Sequence, residues 1–183
     1  MISEQEYIQF KAYARQYGAM MGLVWVLSFA CFVGGVKWPM LSFGFQISIM
    51  MIPFLASFFV RAYRDGVLNG LISFRRAFGF SLFIFFYAML ILAICQWAYF
   101  QYLDGGLIMG NMMKLVTTPE YEEMLKQMQI DKELMKQQIE SLAEVRPIDF
   151  ALSFMWMNTL AGVVISWLVA LFTKRSNKKI KNI

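Results

Sequence analysis

The stretch Arg61–Phe80, RAYRDGVLNGLISFRRAFGF, decides how the rest of the chain is arranged. It carries four of the seventeen basic residues, Arg61, Arg64, Arg75 and Arg76, and it separates two long uncharged apolar runs. A hydrocarbon core takes roughly 20 apolar residues to cross. A basic break between two runs of that length marks a chain that crosses a membrane more than once, with the arginines held on one side. Within the break, Val67, Leu71, Phe74 and Phe78 recur at helical spacing, with Asn69, Ser73 and Arg76 on the other side. This spacing predicts a short amphipathic segment in the membrane interface, which Gly66 and Gly70 would bend away from the preceding span.

Four apolar runs can be read outward from this loop, over 16–36, 39–60, 77–103 and 148–173, uncharged except for Asp149 at the start of the fourth. The first follows a polar segment, Met1 to Arg15, whose Tyr7, Ile8, Phe10 and Ala14 hint at a short interfacial helix. The run is too long for a cleaved signal peptide, whose apolar centre is about 7–15 residues. Gly18 and Gly22, and Ala30 and Gly34, form pairs of small residues four apart, which permit close helix approach in lipid. Gly34-Gly35-Val36-Lys37-Trp38-Pro39 makes a tight turn, so the first two spans are antiparallel neighbours. Pro53 should kink the second span, because it removes a backbone donor and crowds the preceding turn. Trp97, Tyr99 and Tyr102 place an aromatic belt at the far end of the third.

The hydrophilic insert, 104–146, begins with the turn residues Asp104-Gly105-Gly106. Thr117-Thr118-Pro119-Glu120 reads as a helix start and Arg146-Pro147 as a stop. The pattern predicts one helix from Thr117 to Glu144. Tyr121, Met124, Leu125, Met128, Met135, Ile139 and Leu142 form its apolar stripe, interrupted by Lys132. Glu122 and Lys126 are set for an (i, i+4) pair. Such a stripe must pack on its own bundle, a second copy, a partner or lipid. The fold class is therefore all-α: a polytopic integral membrane protein with four transmembrane helices and one amphipathic helix outside the membrane, forming a single membrane domain.

Composition narrows the chemistry. A soluble domain carries about a quarter charged residues, whereas here only 16% are charged and 59% are hydrophobic. The net charge of +5 comes from basic residues flanking apolar runs, so topology explains it better than nucleic acid. There is no histidine, and Cys31 and Cys95 lie apart inside apolar runs. No cofactor, zinc site or catalytic constellation is expected, and a methionine stripe is far more often packing than a copper(I) site. Gly66-Val67-Leu68-Asn69-Gly70 lacks the Lys-Ser/Thr that would make it a phosphate loop. Asp65, Asp104 and Asp149 are the acids nearest a boundary, none within a span core, which argues against a pump or coupled transporter. Eleven of the seventeen basic residues fall on the side of the termini and the 61–76 loop. The positive-inside rule places that side in the cytoplasm and the insert outside.

The run Gly70-Leu71-Ile72-Ser73-Phe74-Arg75-Arg76-Ala77-Phe78-Gly79 resembles a bacterial membrane family catalogued as domain of unknown function 4199. The likeness extends through two spans, a basic loop, a third span, a Glu/Gln/Met-rich insert such as Glu120–Met128, and a fourth span with a basic tail. The resemblance implies a four-helix inner-membrane protein with no established activity and no catalytic residues to carry over. It also implies the company of glycosyltransferases acting on lipid-linked sugars.

Three functional readings follow. The first is a non-catalytic accessory or scaffold protein in the lipid bilayer, acting as a homo-oligomer or with a membrane protein partner. Its arginines would touch lipid head groups or that partner, and its stripe would mediate association. The second is a small oligomeric channel or transporter lined by Gln46, Gln96, Asn158 and Ser166. The third, a lipid-modifying enzyme using Asp65 or Asp149, has no spacing to support it.

Overall fold

The structure, a computed structural model, describes residues 4–175. The basic tail beyond Arg175 and the first three residues lie outside the described residues. Among the described residues seven helices follow in order: α1 (Glu4–Gly35), α2 (Pro39–Val67), α3 (Phe74–Tyr102), α4 (Leu107–Val116), α5 (Pro119–Gln127), α6 (Lys132–Ala143) and α7 (Pro147–Thr173). α1, α2, α3 and α7 are each long and apolar enough to cross a membrane. The chain is a polytopic membrane protein whose four long helices take in the four apolar runs to within a residue of their ends.

The spans form a ring in which α3 packs extensively on α1 and α7, while α2 bridges α1 and α7 from the other side. The α2–α7 contact is the least extensive in the ring. Two glycines set the α1–α3 approach. A Cβ at Gly18 would lie 2.5 Å from the Cβ of Tyr87, and one at Gly22 would lie 2.9 Å from the Cδ1 of Ile91. The small-residue pair in α1 thus brings two backbones together as its spacing suggests. Around the 61–76 end, the core is aromatic: Tyr63 stacks on Phe80 with centroids 4.0 Å apart, and Phe10 meets both rings edge-on. Phe10 belongs to α1 itself, so the polar N-terminal segment is not a separate interfacial helix. It continues the first span as one unbroken helix.

Two further expectations are corrected. The segment between α2 and α3 is not an amphipathic interfacial helix. Val67 ends α2 and Phe74 begins α3, with a turn between them. Asn69 (φ 51°) and Gly70 (φ 81°) both adopt left-handed backbone, which no helix can continue through. The Leu68 and Gly70 amides then bond the Arg64 carbonyl, closing the end of α2. The second correction concerns the insert, where the expected single helix from Thr117 to Glu144 is two. Gln129 takes φ 57° and breaks it, and Asp131 caps α6 by accepting from the Glu133 and Leu134 amides. The break lets α5 and α6 fold back on α4, a helix the hydropathy pattern did not single out.

Candidate functional site: an arginine junction and an apolar chamber

The four arginines divide into two pairs. Arg64 grips Asp65 with Nε at 2.7 Å and Nη2 at 2.9 Å, and its Nη1 donates to the Thr173 carbonyl at the end of α7, at 3.0 Å. Arg76 faces the Tyr63 hydroxyl at 3.4 Å and the Glu6 carboxylate at 3.8 Å. Both guanidiniums therefore hold helices together: Arg64 ties α2 to α7, and Arg76 ties α3 to α2 and α1. Arg61 and Arg75, by contrast, are exposed at the surface. Ile72 and Arg175 exchange both backbone hydrogen bonds at 2.9 Å, which brings the chain after α7 onto the same turn. The signature run has a structural reason at several positions. Gly70 supplies left-handed backbone, Ser73 caps α3 by accepting from the Arg76 amide, and Ala77 is fully buried.

The Met-striped residues part company. Leu125 and Ile139 are buried with Val116, and Tyr121 and Met135 pack against them, giving the insert a small core of its own. Met124 and Met128 are exposed. Leu142 points elsewhere and lines a chamber between the insert and the spans. Lys132 does not merely interrupt the stripe. Its Nζ lies 2.9 Å from Glu122 and clamps α6 to α5, while the expected Glu122–Lys126 pair is longer, at 3.9 Å. The Lys132 hydrogen bond, and then its charge, hold the Glu122 carboxyl below its ordinary value.

The chamber, which pattern reading missed, is about 450 Å³, within the range of about 300–1,000 Å³ common for small-molecule sites. Its walls are aromatic, with Phe29 and Phe32 from α1, Phe45 from α2, Phe100 from α3 and Phe150 and Phe154 from α7. Ile108 and Met109 of α4 cover it with Leu142. Three polar side chains line it deep in the bundle, Trp25, Ser28 and Gln96, 7%, 6% and 5% exposed. The Trp25 Nε1 donor and the Gln96 Oε1 acceptor have no hydrogen-bond partner among the described residues. Of the four polar residues considered for a pore, Gln96 and Asn158 meet here, whereas Ser166 is buried elsewhere and Gln46 is exposed. A lone Gln in an apolar run gave a signal for this site, but no local pattern shows which residues of four helices face one void.

The family model described as protein of unknown function (DUF4199) matches residues 16–175, from the first span to the residue paired with Ile72. The chain belongs to this family. The match takes in all four spans, the arginine junction and the chamber lining. Neither a curated protein nor a solved structure matches the chain.

Proposed function

We propose that this DUF4199 protein is a non-catalytic accessory subunit of a bacterial inner membrane, with both termini and the 61–76 turn in the cytoplasm. In this reading it serves a membrane protein partner, or a second copy of itself, rather than a reaction of its own. The observation that carries the reading is the division among the arginines. Arg64 and Arg76 are committed to internal contacts, whereas Arg61 and Arg75 stand exposed on a surface that the Ile72–Arg175 pairing makes more basic. Exposed arginines at the cytoplasmic face suit an acidic surface on a partner, because the guanidinium fork matches a carboxylate. A glycosyltransferase acting on lipid-linked sugars is the partner class that the family resemblance suggests.

The test places a photo-crosslinking residue at Arg61 or Arg75 in native membranes. The expected result is a discrete protein adduct, and Arg61→Glu with Arg75→Glu abolishes it without lowering thermal stability. Adducts with phospholipid alone would overturn the partner reading and leave the arginines as topology signals.

A further inference from the structure

The chamber between the spans and the insert is independent of the arginine surface and supports a separate inference. Three features of it point to a ligand. The first is its shape. α2 has no buried residue before Ala56, and α7 has none between Ala151 and Gly162. The two helices pack closely only towards the arginine end. Towards the insert their burial falls away, and both line the chamber, α2 through Phe45, Ile49 and Ile52 and α7 through Phe150, Phe154 and Asn158. Pro53 stands just before the closely packed half of α2.

The second feature is the pair of unpartnered polar atoms. Trp25 lies ten residues from the end of α1, about 15 Å along the helix at 1.5 Å per residue. A buried indole N–H and a buried amide oxygen left unpaired are costly in a low-dielectric interior. One wants an acceptor and the other a donor. The third feature is the lining, which holds no charged side chain among the described residues. An ionised head group would therefore lose its hydration with nothing to replace it.

We propose that the chamber binds an uncharged, hydroxyl-bearing lipophile drawn from the bilayer. Its hydroxyl lies in the polar part of the chamber, in reach of the Trp25 indole or the Gln96 amide, and its hydrocarbon portion runs along the phenylalanine walls. A hydroxyl both accepts from an indole N–H and donates to an amide oxygen, whereas an ester only accepts and a hydrocarbon does neither. The insert covers one end of the chamber through Ile108, Met109 and Leu142, and in this proposal the lipophile enters sideways from the bilayer.

The experiment uses the full chain in phosphatidylcholine nanodiscs, with a brominated stearyl alcohol as the quenching probe. Tryptophan emission should fall saturably, and unbrominated stearyl alcohol should restore it. Trp25→Phe should remove the saturable component. Gln96→Leu should weaken apparent affinity about tenfold, as should replacing the probe with the methyl ester of the same brominated chain. Quenching that grows linearly with probe, resists competition or is equal for alcohol and ester would overturn the proposal, because ordinary acyl chains would then be filling the void. The competition and ester arms use the unsubstituted protein and decide the matter even if Gln96→Leu does not fold.

Discussion

The Nη1 of Arg64 donates to the main-chain carbonyl of Thr173 at 3.0 Å, joining the end of α2 to the end of α7 across 109 residues of sequence. The last carbonyls of a helix have no intrahelical partner and carry partial negative charge, so a guanidinium there satisfies both. Arg64 can do this while holding Asp65 because its fork offers several donors in one plane. Arg64→Lys should not rescue the loss seen in Arg64→Ala, since an ammonium is a single point of contact. The expected cost of Arg64→Ala is about 1.5–3 kcal/mol, the range for a hydrogen bond to a charged group. Thermal denaturation in detergent reads it. Equal stability of Arg64→Lys and the parent would show that the fork is not needed.

The α1–α3 contact should not tolerate bulk at its glycines. At Gly18 even a methyl group meets the Tyr87 side chain and the Ile84 carbonyl. Gly18→Val should destabilise by about 1–3 kcal/mol, as overpacking in a close-packed interior does. Gly66, with open space around it, should accept Ala without such a clash. Melting temperatures of the two variants, measured side by side, separate close approach from a general intolerance of glycine replacement.

In the insert, Leu125 is 2% exposed and Met128 is 61% exposed, although both belong to one predicted stripe. Leu125→Ala should therefore cost about 2–5 kcal/mol of local stability, while Met128→Ala should stay within about 0.5 kcal/mol. Limited proteolysis of the insert checks the contrast: Leu125→Ala is cut faster, and Met128→Ala is cut like the parent.

Acid should loosen the α5–α6 clamp. The Glu122 carboxyl is held below its ordinary value of 4.5, first by the Lys132 hydrogen bond. A carboxyl depressed in the folded state stabilises fully above its unfolded value, and that contribution is lost as pH falls through the folded value. Hydrogen exchange across α5 and α6, corrected for intrinsic rates, should stay protected above pH 4.5 and rise at lower pH. Glu122→Gln should already exchange faster at neutral pH and lose most of the acid step. An unchanged acid step in that variant would assign it to another group.

Orientation has its own test. A reporter fused after Ile183 should behave as cytoplasmic, and one inserted at Gln129 as extracytoplasmic. A cytoplasmic signal at Gln129 would invert the arrangement and put the exposed arginines on the other face.

What the sequence by itself determined is whatever depends on neighbours in the chain. The four spans were legible because apolar length is a local property, and 16–36, 39–60, 77–103 and 148–173 fall within α1, α2, α3 and α7 or within a residue or two of their ends. The helix start before Pro119 and the turn at Gly34–Pro39 were legible for the same reason. The break at Gln129 was not, because its residue type permits left-handed backbone without announcing it and the apolar spacing runs on through it. Nor was the sorting of Arg64 and Arg76 from Arg61 and Arg75, which depends on where α7 and α1 end in space. The chamber belongs wholly to the tertiary level. Trp25 and Gln96 are 71 residues apart in sequence, and they share one void because α1 packs on α3 through glycine while the first halves of α2 and α7 bury little.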